Sequence, residues 1–153
     1  MYGPRRVLLV GSSGGHLAQL ISLRPWWQER ERHWVTFPTA DALDLLAGED
    51  VTWAHYPTTR NLPNLVRNLL LAIRLLPRLR PDLVVSTGAG AAVPFFLIAR
   101  LMRIRTAYIE VFDRMDGLTL TARLCRPFTT LLCAQWDEQR RFMPDSEVIG
   151  TLL

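Results

Sequence analysis

Apolar residues fall along this chain in two alternating rhythms. Short unbroken runs, Val7-Leu8-Leu9-Val10, Leu83-Val84-Val85 and Ala107-Tyr108-Ile109, suit strands buried on both faces of a parallel sheet. Between them apolar residues recur every three or four positions, the spacing of helices with one buried side. The predicted order starts with a strand over 7–10. A helix over 17–30 follows, with Leu17, Leu20, Ile21, Leu23 and Trp27 inward and Pro25 bending or restarting it. Next come a strand over 33–37, a short helix over 40–47 opened by Thr39 or Asp41, and a strand over 51–56. The clearest helix spans 61–76, with Leu62, Leu65, Val66, Leu69, Ile73 and Leu76 on its apolar side and Pro77 as its stop. The rest reads as a strand over 82–86, a helix over 92–103, a strand over 106–110, a helix over 118–125, a strand over 129–134, a helical turn over 136–142 and a last strand over 147–149. Strand and helix in alternation imply right-handed crossovers. The predicted fold class is therefore α/β, a Rossmann-like parallel sheet with helices on both faces, in a single domain over 1–153. The chain runs out directly after a strand, at Gly150-Thr151-Leu152-Leu153, as expected of one half of a larger architecture.

Composition changes this picture in three ways. With 153 residues, 49% of them hydrophobic, there is material for one well-filled core. The 18 basic residues are all arginine and outnumber 14 acidic ones, so the net charge of +4 favours an anionic partner. Arginines spread over helices without an aromatic platform or a DNA-binding motif argue against nucleic acid. Cys125 and Cys133 sit among apolar neighbours, the setting of buried thiols in a reducing compartment and not of a metal site. The longest uncharged run, 83–99, is interrupted by Ser86, Thr87, Gly88, Gly90 and Pro94, so no membrane-spanning helix is predicted. No secretory signal is expected, because the chain enters its first strand almost at once behind Arg5 and Arg6.

Candidate chemistry begins where the first strand ends. Gly11-Ser12-Ser13-Gly14-Gly15-His16 must turn sharply into a helix, with glycines for unusual backbone angles and Ser12 or Ser13 as a predicted cap. Such a loop offers backbone N–H groups and the positive end of a helix to a phosphate or a sugar. No glycine stands two residues after Gly11, so the dinucleotide pattern is absent. His16 falls in the first helical turn, where the helix dipole favours the neutral imidazole. There it serves either as a general base towards a hydroxyl or as a packing residue beneath the loop. Two further strands end in similar fashion, at Thr87-Gly88-Ala89-Gly90 and at the polar cluster Glu110, Asp113, Arg114, Asp116 and Gly117. In open α/β sheets ligands bind beyond the carboxyl ends of strands, and three such ends are predicted to share one crevice. Arg60, Arg67, Arg74 and Arg78 fall on a common stripe beside the helix over 61–76, interrupted by Leu71. That stripe is either an ordinary solvated face or a surface that meets anionic lipid headgroups.

Gly11-Ser12-Ser13-Gly14-Gly15-His16-Leu17, Pro81-Asp82-Leu83-Val84-Val85-Ser86-Thr87-Gly88-Ala89-Gly90, Tyr108-Ile109-Glu110 and the segment from Phe128 to Trp136 together resemble the Alg-fourteen-like family. That family supplies the acceptor-side subunit of a two-part UDP-sugar glycosyltransferase. Its bacterial relatives serve exopolysaccharide and capsule assembly, and it resembles the amino-terminal half of the GT-B transferase that makes the peptidoglycan lipid precursor. The resemblance implies a chain that binds a lipid-linked, prenyl-pyrophosphate sugar acceptor at the cytoplasmic face of a membrane, peripherally. A partner chain supplies the UDP-sugar site and completes a heterodimer, and no metal or other cofactor is implied. Transfer of a GlcNAc, glucose or glucuronate type of sugar is expected only with that partner. A non-catalytic scaffold that recruits the partner to the membrane is the alternative. On this pattern His16 and Glu110 take catalytic roles. Gly14, Gly15, Gly88 and Gly90 match the family's two glycine loops; with them Gly11, Ser12, Ser13, Thr87, Asp113 and Arg114 are expected to bind substrate, and the stripe of Arg60, Arg67, Arg74 and Arg78 is expected to meet headgroups.

Overall fold

The computed structural model describes residues 3–114 and 116–152. Seven strands, β1 (Arg6–Gly11), β2 (Glu31–Thr36), β3 (Val51–Trp53), β4 (Leu83–Gly88), β5 (Arg105–Ile109), β6 (Leu131–Ala134) and β7 (Glu147–Val148), form one sheet in the order β3-β2-β1-β4-β5-β6-β7. Every pairing is parallel. Strand order reverses between β1 and β4, which opens a crevice at their carboxyl ends.

Helices cover both faces, as the continuous apolar runs require. On one face α4 (Leu62–Leu79), α5 (Ala92–Leu101) and α6 (Leu120–Cys125) pack on Leu8, Val10, Val84 and Tyr108, with Phe95 and Phe96 fully buried. On the other, α1 (Gly15–Ser22), α2 (Arg24–Trp27) and α3 (Ala40–Leu45) cover Val7, Leu9, Trp34 and Val85 through Leu17, Leu20, Trp27 and Ala42. Each of these large side chains contributes about 1.5–3 kcal/mol of burial. Pro25 does restart the first helix, standing at the opening of α2. Cys125 and Cys133 are buried free thiols, and desolvation pushes their pKa values up to about 12 and about 11. Both are therefore inert towards thiolate chemistry near neutral pH.

The helix α4 departs from its sequence reading twice. It runs through Pro77 to a left-handed cap at Arg80, four residues past Leu76. Pro77 is exposed, so the carbonyl of Ile73 that loses its helical partner lies towards water. The helix is also turned about its axis relative to expectation. Its buried side is Asn64, Asn68, Ala72, Leu75 and Leu76, whereas Leu62 (69% exposed), Val66 (48%) and Ile73 (46%) face outward. The reason is polar. Asn68 accepts from the His55 N–H at 2.8 Å and donates to the His55 carbonyl at 2.9 Å, and Asn64 donates to the Pro57 carbonyl at 2.9 Å. These amides satisfy the backbone after β3, so they take the inward position.

Candidate functional site

The crevice at the β1–β4 switch is built around a bulge. Val10 pairs with Ser86 but Gly11 pairs with Gly88, which leaves Thr87 as the extra residue. The bulge turns Thr87 onto the first turn of α1. Its hydroxyl donates to the His16 carbonyl at 2.8 Å, while its own carbonyl lies 2.9 Å from His16 Nδ1. A carbonyl only accepts, so Nδ1 carries the proton of the neutral ring and Nε2 is left with a lone pair. Thr87 is fully buried and its hydroxyl is committed to His16. The Thr87 side chain, expected among the substrate-binding residues, thus braces the first turn of α1 and has no exposed surface.

Burial pulls the His16 pKa below the usual 6.5, partly offset by the Thr87 bond and by the fields of Glu110 and Asp113. Burial lowers His33 in the same sense. An imidazole titration followed by NMR is expected to place the His16 midpoint below 6.5. Because the unfolded chain then binds protons more readily, the stability held above pH 6.5 is lost as pH falls from 6.5 through the depressed folded value.

The glycine-rich loop packs under the same ring. Gly11 is buried at the end of β1, and a Cβ there would lie 3.2 Å from Leu20. Gly14 caps α1 with φ 73° and no side-chain cap, so the expected cap by Ser12 or Ser13 is absent; both serines are half-buried beside it. Only glycine adopts that angle without strain, which is why backbone and not a hydroxyl ends the turn. The Gly14 N–H donates to the Asp41 carboxylate at 2.8 Å. Asp41, read from sequence only as a helix opener, thus ties α3 to the loop, while Gly15 lies exposed at the head of α1. Gly88 sits beneath the ring, and Gly90 presses on Thr58, whose Cβ would lie 2.9 Å from an added Cβ.

Glu110 directly follows β5 and has no exposed surface. Its carboxylate accepts from the N–H groups of Val111 and Thr119, each at 3.0 Å, and from the Thr119 hydroxyl at 3.2 Å. It holds closed the loop that presents Asp113 and Arg114 to solvent, and it reaches His16 only as a field. The arginines are brought together less completely. Arg60 precedes α4 in a left-handed conformation, with φ 49°. Arg67 and Arg74 stand along the helix, and Arg78 borders a polar cleft of about 410 Å³ at the opposite end of the sheet. At 1.5 Å per residue the stripe from 62 to 78 is ~24 Å long, too long for one headgroup. Beside Arg60 lies a groove of about 830 Å³ whose walls include Leu65, Gly90, Val93, Leu120 and Leu124. The sequence reading missed both this groove and the buried Gln19, Gln135 and Gln139 behind the Glu110 loop.

With this geometry in view, comparison with known proteins gives a consistent result. The family described as oligosaccharide biosynthesis protein Alg14 like matches residues 55–152. The chain belongs to the Alg14-like family. The mouse UDP-N-acetylglucosamine transferase subunit ALG14 is 23% identical over 97% of this chain and 83% of its own length. The UDP-N-acetylglucosamine--N-acetylmuramyl-(pentapeptide) pyrophosphoryl-undecaprenol N-acetylglucosamine transferase of Syntrophotalea carbinolica is 30% identical over 95% of this chain but only 44% of its own. Among solved structures, MurG of Acinetobacter baumannii superposes with a TM-score of 0.78 at 19% identity, over 98% of this chain and 46% of that one. The UDP-GlcNAc 2-epimerase of Methanocaldococcus jannaschii gives 0.75 at 14% identity, over 95% of this chain and 45% of that one. The chain therefore spans under half the length of the bacterial transferases it matches. This Alg14-like chain has the fold of the amino-terminal half of a GT-B glycosyltransferase.

Proposed function

We propose that this Alg14-like chain is the acceptor-side subunit of a two-part glycosyltransferase that transfers GlcNAc or a related sugar from a UDP-sugar to a prenyl-pyrophosphate-linked acceptor. The observation that carries the reading is the His16 ring, half-buried in the switch-point crevice with Nδ1 held by the Thr87 carbonyl. Its Nε2 takes the proton of the acceptor hydroxyl, whose oxygen forms a bond to the anomeric carbon as the bond to UDP breaks. Gly14, Gly15, Gly88 and Gly90 let backbone approach the sugar or phosphate. Glu110 supports the reaction by ordering the loop that bears Asp113 and Arg114. A partner chain supplies the UDP-sugar site across the cleft. The names of the relatives, a transferase subunit and lipid-precursor GlcNAc transferases, support this class of reaction.

The outward face of α4 supports peripheral attachment to a membrane surface, which the proposal sets at the cytoplasmic side. At 100° per residue Leu62, Val66, Leu70 and Ile73 form one outward stripe and Arg67, Arg74 and Arg78 the adjacent one. All four apolar residues are exposed, an arrangement suited to an anionic interface. No helix among the described residues is long and apolar enough to cross a membrane. The groove beside Leu65 and Leu124 runs from Leu62 on this face to Gly90, and its apolar walls suit the hydrocarbon end of the acceptor.

Transfer from a panel of UDP-sugars to a prenyl-pyrophosphate-linked acceptor tests the proposal, using membranes that hold this chain alone, its partner alone or both. Activity is expected only with both. Activity from the partner alone assigns this chain the scaffold role instead. In the same preparation, paired Val66→Asp and Ile73→Asp changes are expected to reduce binding to anionic vesicles roughly tenfold or more, because two charges then enter the interface. Unchanged binding removes α4 from the membrane contact.

A further inference from the structure

Behind the Glu110 loop lie three glutamines that the proposed chemistry does not use. Gln135 follows β6, Gln139 sits in the 3-10 turn Asp137–Arg141, and Gln19 lies one turn beyond His16 on α1. Their exposures are 2%, 0% and 3%. The Gln139 amide donates to the carbonyls of Val111 at 2.8 Å and Arg114 at 3.0 Å, and its oxygen accepts from the Gln135 N–H at 2.8 Å. The Gln135 amide donates to Gln19 Oε1 at 2.7 Å and to the Glu110 carbonyl at 3.0 Å, and its oxygen accepts from the Leu152 N–H at 3.0 Å. The N–H groups and oxygens of both amides are thus engaged within the chain, with no N–H left for a ligand.

Burying an amide is costly unless it is satisfied, and apolar side chains fill such space at lower cost. What the glutamines achieve is directional. Three carbonyls of one loop, those of Glu110, Val111 and Arg114, are fixed from behind, while the Glu110 carboxylate fixes the Val111 and Thr119 N–H groups. Gln19 ties the helix that carries His16 to the same point, and Leu152 ties the segment after β7 to it. We propose that Gln135 and Gln139 are positioning residues that hold the Asp113–Arg114 loop in register with the His16 helix, so that acceptor groups meet both at fixed separation. The inference rests on the reading of that loop as part of the acceptor site.

The test uses Gln139→Glu, which keeps shape and the acceptor oxygen but sets a carboxylate against two carbonyls, and Gln139→Met, which keeps volume and loses the hydrogen bonds. In the chain itself, amide hydrogen exchange over 111–119 is expected to quicken roughly tenfold or more, as loss of one or two buried hydrogen bonds implies, with exchange in β1 and β4 unchanged. In the complex with its partner, acceptor KM is expected to rise about tenfold while UDP-sugar KM holds. Unchanged loop exchange overturns the inference, and so does faster exchange spread over the whole sheet, which marks a merely structural role. Faster loop exchange with unchanged acceptor KM also overturns it. If the natural pair transfers no sugar, the proposed function falls instead, and the exchange measurement still decides whether the glutamines hold the loop.

Discussion

His16→Ala is expected to lower kcat for sugar transfer by roughly 10²–10⁴-fold, the usual contribution of a general base, with vesicle binding and partner assembly intact. Three features set that size. Thr87 holds the ring at Nδ1 through its carbonyl, and its hydroxyl holds the backbone of the same residue through the His16 carbonyl. Its depressed pKa keeps the neutral, proton-accepting form predominant at neutral pH. It stands at the switch of the sheet, with Gly11 and Gly88 removing the side chains that would fill the crevice. Because the ring is half-buried and belongs to neither core cluster, truncation leaves the fold standing, and circular dichroism melts of the variant should overlay the natural chain within a few degrees. The decisive number is kcat in the reconstituted pair. A variant retaining most of it makes His16 a packing residue, and a retained recruitment function then supports the scaffold reading.

Gly88→Ala is expected to be the most damaging single-methyl change in the chain. The added Cβ would lie 2.9 Å from His16 Cε1, 2.9 Å from the Tyr108 hydroxyl and 3.3 Å from His16 Nδ1. Tyr108 does not retreat easily, being 1% exposed and packed edge-on against Phe96, so the half-buried His16 ring is the neighbour that must give. The backbone adds its own cost, because φ is +124° there and a non-glycine residue in that region is strained by about 1–3 kcal/mol. Overpacking adds a further ~1–3 kcal/mol. For a domain of this size the sum, about 2–6 kcal/mol, corresponds to a melting temperature lower by roughly 4–24 °C. The His16 imidazole signals should shift as the ring leaves the Thr87 carbonyl. Gly15→Ala is the matched control: it has no positive φ and nothing within 4 Å of the new Cβ, and it should melt within about 1 °C of the natural chain. Equal melting of the two variants would show that Gly88 is not clamped under the ring.

Much of the fold was legible along the chain. Each of the seven strands was expected within about three residues of where it lies, most plainly β1, β4 and β5, because a strand covered on both faces needs an unbroken apolar run. The three loops that meet at the sheet's carboxyl edge were legible for the same reason, since small and polar residues follow each of those runs. The rotation of α4 was not. Apolar residues occur on more than half of its circumference, and the side that faces the sheet was chosen by Asn64 and Asn68, which satisfy backbone groups of His55 and Pro57. Nor was the glutamine hub, whose partners stand as far as 116 residues apart.

What the sequence determined by itself was the alternation of strand and helix, the glycine positions and the presence of a histidine at the head of the first helix, all set by local periodicity and backbone freedom. The tertiary structure decided the rest: that Thr87 bulges onto His16 and fixes its tautomer, that Glu110 faces inward to a loop, and that leucines of α4 face outward beside arginines. Those outcomes depend on hydrogen-bond partners brought together only when the sheet forms. A polar side chain takes the orientation that satisfies the nearest buried backbone group, and which group is nearest is a property of the folded chain.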